Sequence, residues 1–478
     1  MGKIHQAHTS LTCGLGNMLT GMLYVWPSYT VVHFTKTDTE YLDSPMTEIE
    51  SSLVGSLPSL GAMAGTILVG WLMSIFGRQR TGLILAFPML ASWLIIELTR
   101  SSMVILIARF LSGVSGGGFL VHSPIYISEV AEPSIRGTLA SAPMIFYCIG
   151  ILVSYLMGWF LTYRYVIWGN LICCIVYAAL MMTVTESPVY LLRKNREEEA
   201  RLAVSHYLGG SVNSKAVLEE FSRLKEQIAP SVELVARDPD QSEKQKLNAE
   251  INDVEQQTKD EMSPLKMLFV SPASRRAFTT VFLILSLQVM MGMIAVQVYA
   301  KDIFTHAAPN LSSHFCSVMF ASTLLLGSLI NGLLLDRFGR KIPLISSSIG
   351  TGVCLVALGF FIQTSVAPAW VTALVILFFC FFFMSGAGSV PYVMLAEMFI
   401  SEVQSVASMI LMEWVWLLNF LLVGVFPFMI KFLGVHGVFY SFAMFALLDC
   451  LVAIFIVPET KGLTIDQIQK LLLYRPLK

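Results

Sequence analysis

The chain has 478 residues, of which 55% are hydrophobic and 13% charged, with a formal net charge of −1. A soluble domain carries roughly 25% charged residues, so too few charges are present to cover a water-facing surface. The near-zero balance gives no global field for nucleic acid. The eight cysteines fall almost entirely inside apolar runs and form no CxxC pair. They read as small buried apolar side chains, with no metal site, disulfide framework or cofactor implied.

Apolar runs of about 20 residues recur, long enough to cross a hydrocarbon core of roughly 30 Å as helices. Twelve spans are predicted: 10–32, 50–75, 81–98, 103–127, 137–161, 164–184, 277–300, 314–335, 342–363, 369–398, 405–430 and 435–457. The first run, Leu11 to Phe34, is long enough to stay as a span rather than serve as a cleaved signal. Between the sixth and seventh spans, Glu186 to Arg276 is polar and rich in both charge signs. Within it, "SPVYLLRKNREEEARLAVSHYL" and "VLEEFSRLKEQI" have amphipathic helical character, and 236–262 reads as a linker. The expected fold is an all-α integral membrane protein of twelve transmembrane helices in two pseudo-symmetric six-helix bundles. The expected division is 1–185, 186–276, 277–458 and a tail at 459–478.

Lys and Arg set membrane orientation. The turns after the second and eighth spans hold Arg78, Arg80, Arg337, Arg340 and Lys341, and the middle segment and tail hold many more. The loop after the first span is acidic, with Asp38, Glu40, Asp43, Glu48 and Glu50. Both termini and the middle segment are therefore expected in the cytoplasm. The sequon Asn310-Leu311-Ser312 then falls outside, where Asn310 is a candidate for glycosylation.

The stretch "GLLLDRFGRK" (Gly332 to Lys341) ends the eighth span on a charged turn, and "GWLMSIFGRQR" (Gly70 to Arg80) ends the second on an eroded copy. Two halves with a matching turn indicate duplication, which suits alternating access around a site near the bilayer midplane. Asp336 is expected to accept hydrogen bonds from a neighbouring helix while Arg340 binds a carboxylate across the gap, with Glu397 at the end of the tenth span facing the Arg340 turn, latching the cytoplasmic side in one state. Other motifs appear in order: "RFLSGVSGG" (Arg109 to Gly117), "PIYISEVAEPSIRG" (Pro124 to Gly137), "ESP" (Glu186 to Pro188), "VPYVMLAEMF" (Val390 to Phe399) and "PETKG" (Pro458 to Gly462). Together they make the chain resemble a sugar porter of the major facilitator superfamily along nearly its whole length, most like the facilitated trehalose transporter-like group of insects. The resemblance implies a charge network of Arg78, Arg109, Glu129, Arg136, Glu186, Asp336, Arg337, Arg340, Glu397 and Glu459. Arg109 lies well inside the fourth span and needs a partner or a water-filled cavity. The glycine run 116–118 is read as permitting tight helix packing, and His122 as a hydrogen-bonded helix residue.

The departures from the family pattern matter. Ser74 and Ile75 stand where the first turn has Asp and Arg, and Gln404 where an Arg follows the tenth span. In the sugar site implied by the resemblance, Gln288, Trp416 and Asn419 match, whereas Val289, Ile294, Val415 and Met144 replace amides and Tyr392 replaces a Trp. A lost amide removes a hydrogen bond worth roughly 0.5–1.5 kcal/mol, so the site is expected to suit a less hydroxylated or differently shaped solute. The first span has no Asp or Glu, which favours facilitated diffusion over symport. Two alternatives stay open: a non-transporting sensor or scaffold of the same fold, and a proton-coupled carrier of a non-sugar solute using Glu413 or Asp449. No nucleophile, base or nucleotide loop suggests an enzyme; the implied partners are a small sugar-class solute and the lipid bilayer, with no nucleic acid.

The charge distribution makes a direct prediction about topology. In cells carrying the chain at the cell membrane, tags at residue 245 and at the C-terminus are reached only after permeabilisation, and a tag near residue 40 is reached without it. Labelling of the residue 245 tag from outside overturns the assignment.

Overall fold

The computed structural model describes residues 2–37, 39–132, 135–228 and 263–474; side chains within 136–138, at 140 and 264, within 332–336, at 401–402, 466 and 474 lie outside the description. The predicted linker at 236–262 and the side chains of Arg136 and Asp336 fall outside it. Among the described residues ten helices are long and apolar enough to cross a membrane, and one of them, Val403–Phe455, is two helices merged across a kink at Gly434. Gly2–Val25, continued by Pro27–Phe34, completes twelve spans.

The spans in chain order are Gly2–Val25 with Pro27–Phe34, Glu48–Phe76, Arg78–Leu98, Ser102–Val130, Arg136–Phe160 and Tyr163–Thr183. The second half runs Pro272–Met290 with Met293–Val298, Ser313–Phe338, Lys341–Thr364, Ala369–Ser385 with Val390–Glu397, and the two parts of Ser401–Phe455. Three spans predicted as continuous are broken: the first at Trp26-Pro27, the seventh around Gly292 and the tenth across residues 386–389. Proline lacks an N–H and clashes with the preceding turn. Gly292 has φ +82°, which an L side chain rarely adopts. Broken backbone at membrane depth is tolerated only where protein or a water-lined cavity satisfies it. All three breaks therefore point to the interior.

Each half is held by close helix contact. The glycines of the fourth span explain why: a Cβ at Gly113 would meet the Pro58 carbonyl at 2.2 Å, and one at Gly117 the Ala62 carbonyl at 2.4 Å. Such spacing lets two backbones touch, the main source of association where no hydrophobic effect acts between helices. The outward faces carry large apolar side chains such as Phe87, Leu98, Phe360 and Phe432, all exposed, as a lipid-facing surface requires.

The halves meet mainly toward the face opposite the termini. There Lys431 pairs with Glu48 at 3.0 Å, Ser52 donates to the Gly424 carbonyl at 2.5 Å, and the backbone N–H of Lys301 donates to Ser28 at 3.2 Å. Trp159 of the fifth span stacks on His314 of the eighth, centroids 6.4 Å apart. The same face carries a Thr47–Glu50 capping box that starts the second span.

On the termini face, the middle segment forms helices Pro188–Arg193, Glu197–Leu208, Lys215–Ile228 and Pro264–Val270. The first three of these match the stretches read as amphipathic. They dock through Gln6, which donates to the Tyr207 carbonyl at 2.9 Å. The C-terminal helix Ile465–Tyr474 is held by Arg276, which donates to the Leu472 carbonyl at 2.6 Å.

The break in the seventh span yields a stability prediction. A Cβ at Gly292 would lie 2.1 Å from the Phe442 ring, on a backbone with positive φ. Gly292→Ala is expected to destabilise by about 2 kcal/mol or more and to lower the thermal midpoint of the detergent-purified protein. Gly70→Ala, with nothing within 4 Å of its Cβ, serves as the control and should be neutral or slightly stabilising. Equal midpoints for the two variants contradict the account.

Candidate functional site: a duplicated charge turn and a broken-helix centre

The charged turns have the same construction in both halves. After the second span the chain turns at Gly77, φ +88°, and after the eighth at Gly339, φ +81°. An arginine then stands at the start of the next helix, as its first residue in the first half and its N-cap in the second, where exposed N-terminal N–H groups need acceptors. In the first half Glu186 supplies them, accepting from the backbone N–H of Arg78 at 2.7 Å and of Gln79 at 3.1 Å. In the second half Glu459 accepts from Arg340 at 3.0 Å and Lys341 at 3.0 Å.

The arginine side chain reaches a second carboxylate. Arg78 donates to Glu129 at 2.6 Å, and Arg340 forks onto Glu397 with bonds of 2.7 and 3.2 Å. A hydroxyl beside each capping glutamate closes the set: Ser187 donates to Glu129, and Thr460 to Glu397 at 2.6 Å. Charge-assisted bonds of this kind are short and orientation-specific. Ser187 and Thr460 were not singled out by sequence, although each directly follows the glutamate of "ESP" and "PETKG".

Arg340 meets Glu397, the carboxylate expected to face its turn, and these pairs lie within one half rather than between the bundles. Arg340, Glu397 and Glu459 all belong to the second half, and Arg78, Glu129 and Glu186 to the first. The pairs therefore brace each half internally and do not reach across the gap between bundles. The physical reason is distance along the fold: "PETKG" and "ESP" end the last span of their own halves, beside the turn they cap. Arg337 is exposed and its carbonyl accepts from Lys461 at 2.8 Å. Gln404, in place of a family arginine, donates to the Ala396 carbonyl at 2.9 Å.

The two glutamates sit in different electrostatic surroundings. Burial raises the Glu186 carboxyl above its ordinary value, only partly offset by the N–H groups of Ser187, Arg78 and Gln79. Burial acts the same way on Glu459, but the N–H groups of Arg340, Lys461, Lys341 and Thr460 together hold it below the usual range.

Arg109 is fully buried. It donates to the carbonyls of Val54 at 3.0 Å and Leu23 at 2.8 Å and lies over the Trp26 ring, 5.2 Å from its centroid. These partners are carbonyls and a π face rather than an acid: Leu23 and Val54 each stand four residues before a proline, Pro27 and Pro58, which has no N–H to bond them, so their carbonyls are left for the guanidinium. His122 donates through Nε2–H to the Arg78 carbonyl, 2.7 Å away. Asp449 is bonded by Ser348 at 2.6 Å inside the second half.

The residues expected to meet a solute lie on the broken spans and the eleventh. Gln288 is buried; its amide N–H donates to the Gly388 carbonyl in the tenth-span break at 3.1 Å, and its Oε1 has no partner among the described residues. Trp416 is buried with an unpartnered Nε1, and its ring runs parallel to Tyr24 of the first span, centroids 6.4 Å apart. Asn419 is half-buried, and Tyr392 and Met144 are exposed in part. Val289 and Val415 are packed in the core, with Ile294 half-buried against it. Sequence reading missed Gln297, which donates to Tyr147 at 3.1 Å and whose carbonyl accepts from Tyr155 at 2.6 Å. That amide joins the seventh span to the fifth, a pairing that no local spacing announces. Asn310 sits exposed in the turn before the eighth span.

The capped turns predict a difference between their glutamates. Glu459, depressed, stabilises the fold above its ordinary value and loses that contribution as pH falls through its folded value. Glu186, raised, is favoured protonated and contributes least when ionised. At neutral pH, Glu459→Gln should lower the thermal midpoint more than Glu186→Gln does, and the gap should close as the solution is acidified below the usual carboxylate range. A larger loss for Glu186→Gln counts against this assignment.

Comparison with known proteins fits this arrangement. A family model described as "Sugar (and other) transporter" matches residues 4–237 and 224–472. The facilitated trehalose transporter Tret1 of Polypedilum vanderplanki is 26% identical over 481 aligned positions, covering 98% of this chain and 88% of that protein. The protein of that name from Drosophila grimshawi is also 26% identical; the chain spans about half its length, 48%. Among solved structures, the Escherichia coli xylose transporter XylE in a partially occluded inward-open conformation superposes with a TM-score of 0.74 at 21% identity, covering 96% of this chain and 99% of that one. The major facilitator superfamily proton:xylose symporter XylE bound to 6-bromo-6-deoxy-D-glucose gives 0.73 at 21% identity, covering 98% and 100%. These likenesses carry the fold, and the family match carries the membership: with two six-span halves each closed by the same capped turn, the chain is an integral multi-pass membrane protein of the major facilitator fold and belongs to the sugar (and other) transporter family.

Proposed function

We propose that the chain moves a sugar-class solute across the cell membrane by facilitated diffusion with alternating access, with both termini in the cytoplasm. The single observation that carries the site is the pair of buried polar atoms without a partner among the described residues: Gln288 Oε1, beside the breaks of the seventh and tenth spans, and Trp416 Nε1, whose ring parallels Tyr24 of the first. Buried polar groups ordinarily find partners, and a hydroxylated ring supplies both donors and acceptors. Tyr392 and Trp416 offer flat faces with a polar tip, suited to a ring with a CH-rich side. Asn419 adds an amide that donates and accepts. Ile294 and Met144 give the site an apolar side, which favours solutes with fewer hydroxyl groups at those contacts. The trehalose transporters and xylose transporters that the chain is similar to support the sugar class. The excess of Lys and Arg on the termini face supports the orientation, and the exposed Asn310 then lies outside and open to glycosylation. The absence of an acid from the first span supports diffusion without a coupled ion.

The test is uptake of labelled trehalose, glucose, xylose and less polar ring solutes into proteoliposomes. Saturable uptake of one of them, competed by the same unlabelled compound, is expected. Gln288→Ala and Trp416→Ala should each lower that uptake about three- to tenfold, the weight of one or two hydrogen bonds, while Ile294→Asn should raise glucose uptake relative to the preferred solute. No uptake of any panel member by folded protein assigns the chain a non-transporting role instead.

A further inference from the structure

We infer that Gln297 and Tyr147 are a solute-binding pair, one residue from each half, that takes two neighbouring hydroxyl groups of a ring solute. Gln297 lies in the short helix Met293–Val298, past the break of the seventh span, and is 4% exposed. Its Nε2 donates to Tyr147 Oη of the fifth span at 3.1 Å. That bond uses the tyrosine oxygen as an acceptor and leaves its O–H free to donate. Nothing among the described residues accepts from that O–H or donates to Gln297 Oε1. The pair therefore offers one donor and one acceptor side by side. Turning the amide over exchanges the roles and still leaves one of each. A ring with neighbouring hydroxyls fills such a pair, because each hydroxyl both donates and accepts. An apolar ligand would leave both groups without partners.

Three contacts fix the pair beside the candidate site. The last carbonyls of a helix lack internal donors, and Tyr155 supplies one to the Gln297 carbonyl at 2.6 Å. The fifth span thus holds Gln297 at its backbone as well as at its tip. A Cβ at Gly21 would meet the Tyr147 carbonyl at 2.2 Å, so the first span touches the fifth at this residue. Tyr24 stands one turn past Gly21, on the same helix face, and its ring parallels Trp416. Tyr147 is half-buried rather than sealed in the core. Met144 and Ile294, the apolar side of the site, each stand three residues before one member of the pair, on the same helix faces. Both spans run from the termini face outward, so the polar edge lies one turn, about 4.5 Å, beyond the apolar one. A plain bolt between the halves needs only the bond already made, whereas here each residue carries a further polar function with no partner among the described residues.

The inference rests on the sugar-class site proposed above, and binding measured apart from uptake separates the two. Isothermal titration of the full chain in lipid nanodiscs uses glucose, xylose and trehalose, and forms of each that lack one ring hydroxyl. The parent should bind at least one of these sugars, and loss of either of two neighbouring hydroxyls should weaken that binding about fivefold, the weight of one hydrogen bond. Tyr147→Phe keeps the ring and removes only the O–H. It should bind the sugar about fivefold more weakly than the parent does and no longer distinguish it from one of the two deoxy forms. Gln297→Leu should lose the distinction at the adjoining hydroxyl, and Tyr147→Phe serves alone if Gln297→Leu does not fold. Equal weakening of the sugar and all its deoxy forms in Tyr147→Phe, or no weakening, makes the pair a bolt between the halves and overturns the inference. A folded parent that binds none of the sugars overturns it too. The expected binding pattern without uptake keeps the pair and overturns the transport reading instead.

Discussion

The arrangement depends on how a helix can begin at the edge of a bilayer directly after another has ended. The first N–H groups of the new helix have no internal acceptor, and a tight turn leaves little room for capping by its own residues. Here a glutamate from the end of each half supplies the acceptors: Glu186 for the helix starting at Arg78 and Glu459 for the one capped by Arg340. Each glutamate thereby ties the last span of its half to the second and third. The arginine completes the brace by reaching Glu129 or Glu397 on the fourth span of the half. A six-helix unit locked in this way moves as one body, which is what rocking of one half against the other requires.

The interface between halves is built differently. Where the braces inside each half are charged, buried and multiply bonded, the boundary uses mainly single hydrogen bonds and ring contacts such as Tyr155 to the Gln297 carbonyl and Trp159 on His314, with its Lys431–Glu48 ion pair exposed at the outer edge. Single neutral bonds cost little to break, so the contrast in strength separates what holds from what moves. The short first, seventh and tenth span segments lie between these two regimes. Their breaks free backbone and side-chain groups such as Gln288 in the interior, where a polar solute can use them.

Much of this was legible in the chain. Twelve apolar runs, the polar interval between the sixth and seventh, and the repeated glycine-arginine turn are periodic or local signals, and they gave the spans and the duplication. The motif glutamates and arginines were also found from sequence, because each stands in a short recurring pattern. Glu397 was expected to face the Arg340 turn, and it does; that Glu459 caps the same turn and that each brace stays inside one half was not foreseen. Partner choice is settled by where the chain returns after several spans, which spacing along the sequence does not encode.

The eroded positions show the same division. Substituting Val for amides at 289 and 415 reads from sequence as an apolar pocket wall, yet both side chains are packed in the core. Ser187, Thr460, the Gln297–Tyr147 bond and the Thr66–Glu413 contact between halves have no local signature, because each acts with a partner brought close only by helix packing. What the sequence determined by itself was the number of spans, the duplication and the family, since hydrocarbon thickness and backbone satisfaction act on every segment separately. What tertiary structure alone decided was which charges brace a half, which polar atoms stay unpartnered in the centre and which side chains bridge the halves, since these depend on the relative rotation and depth of helices far apart in the chain.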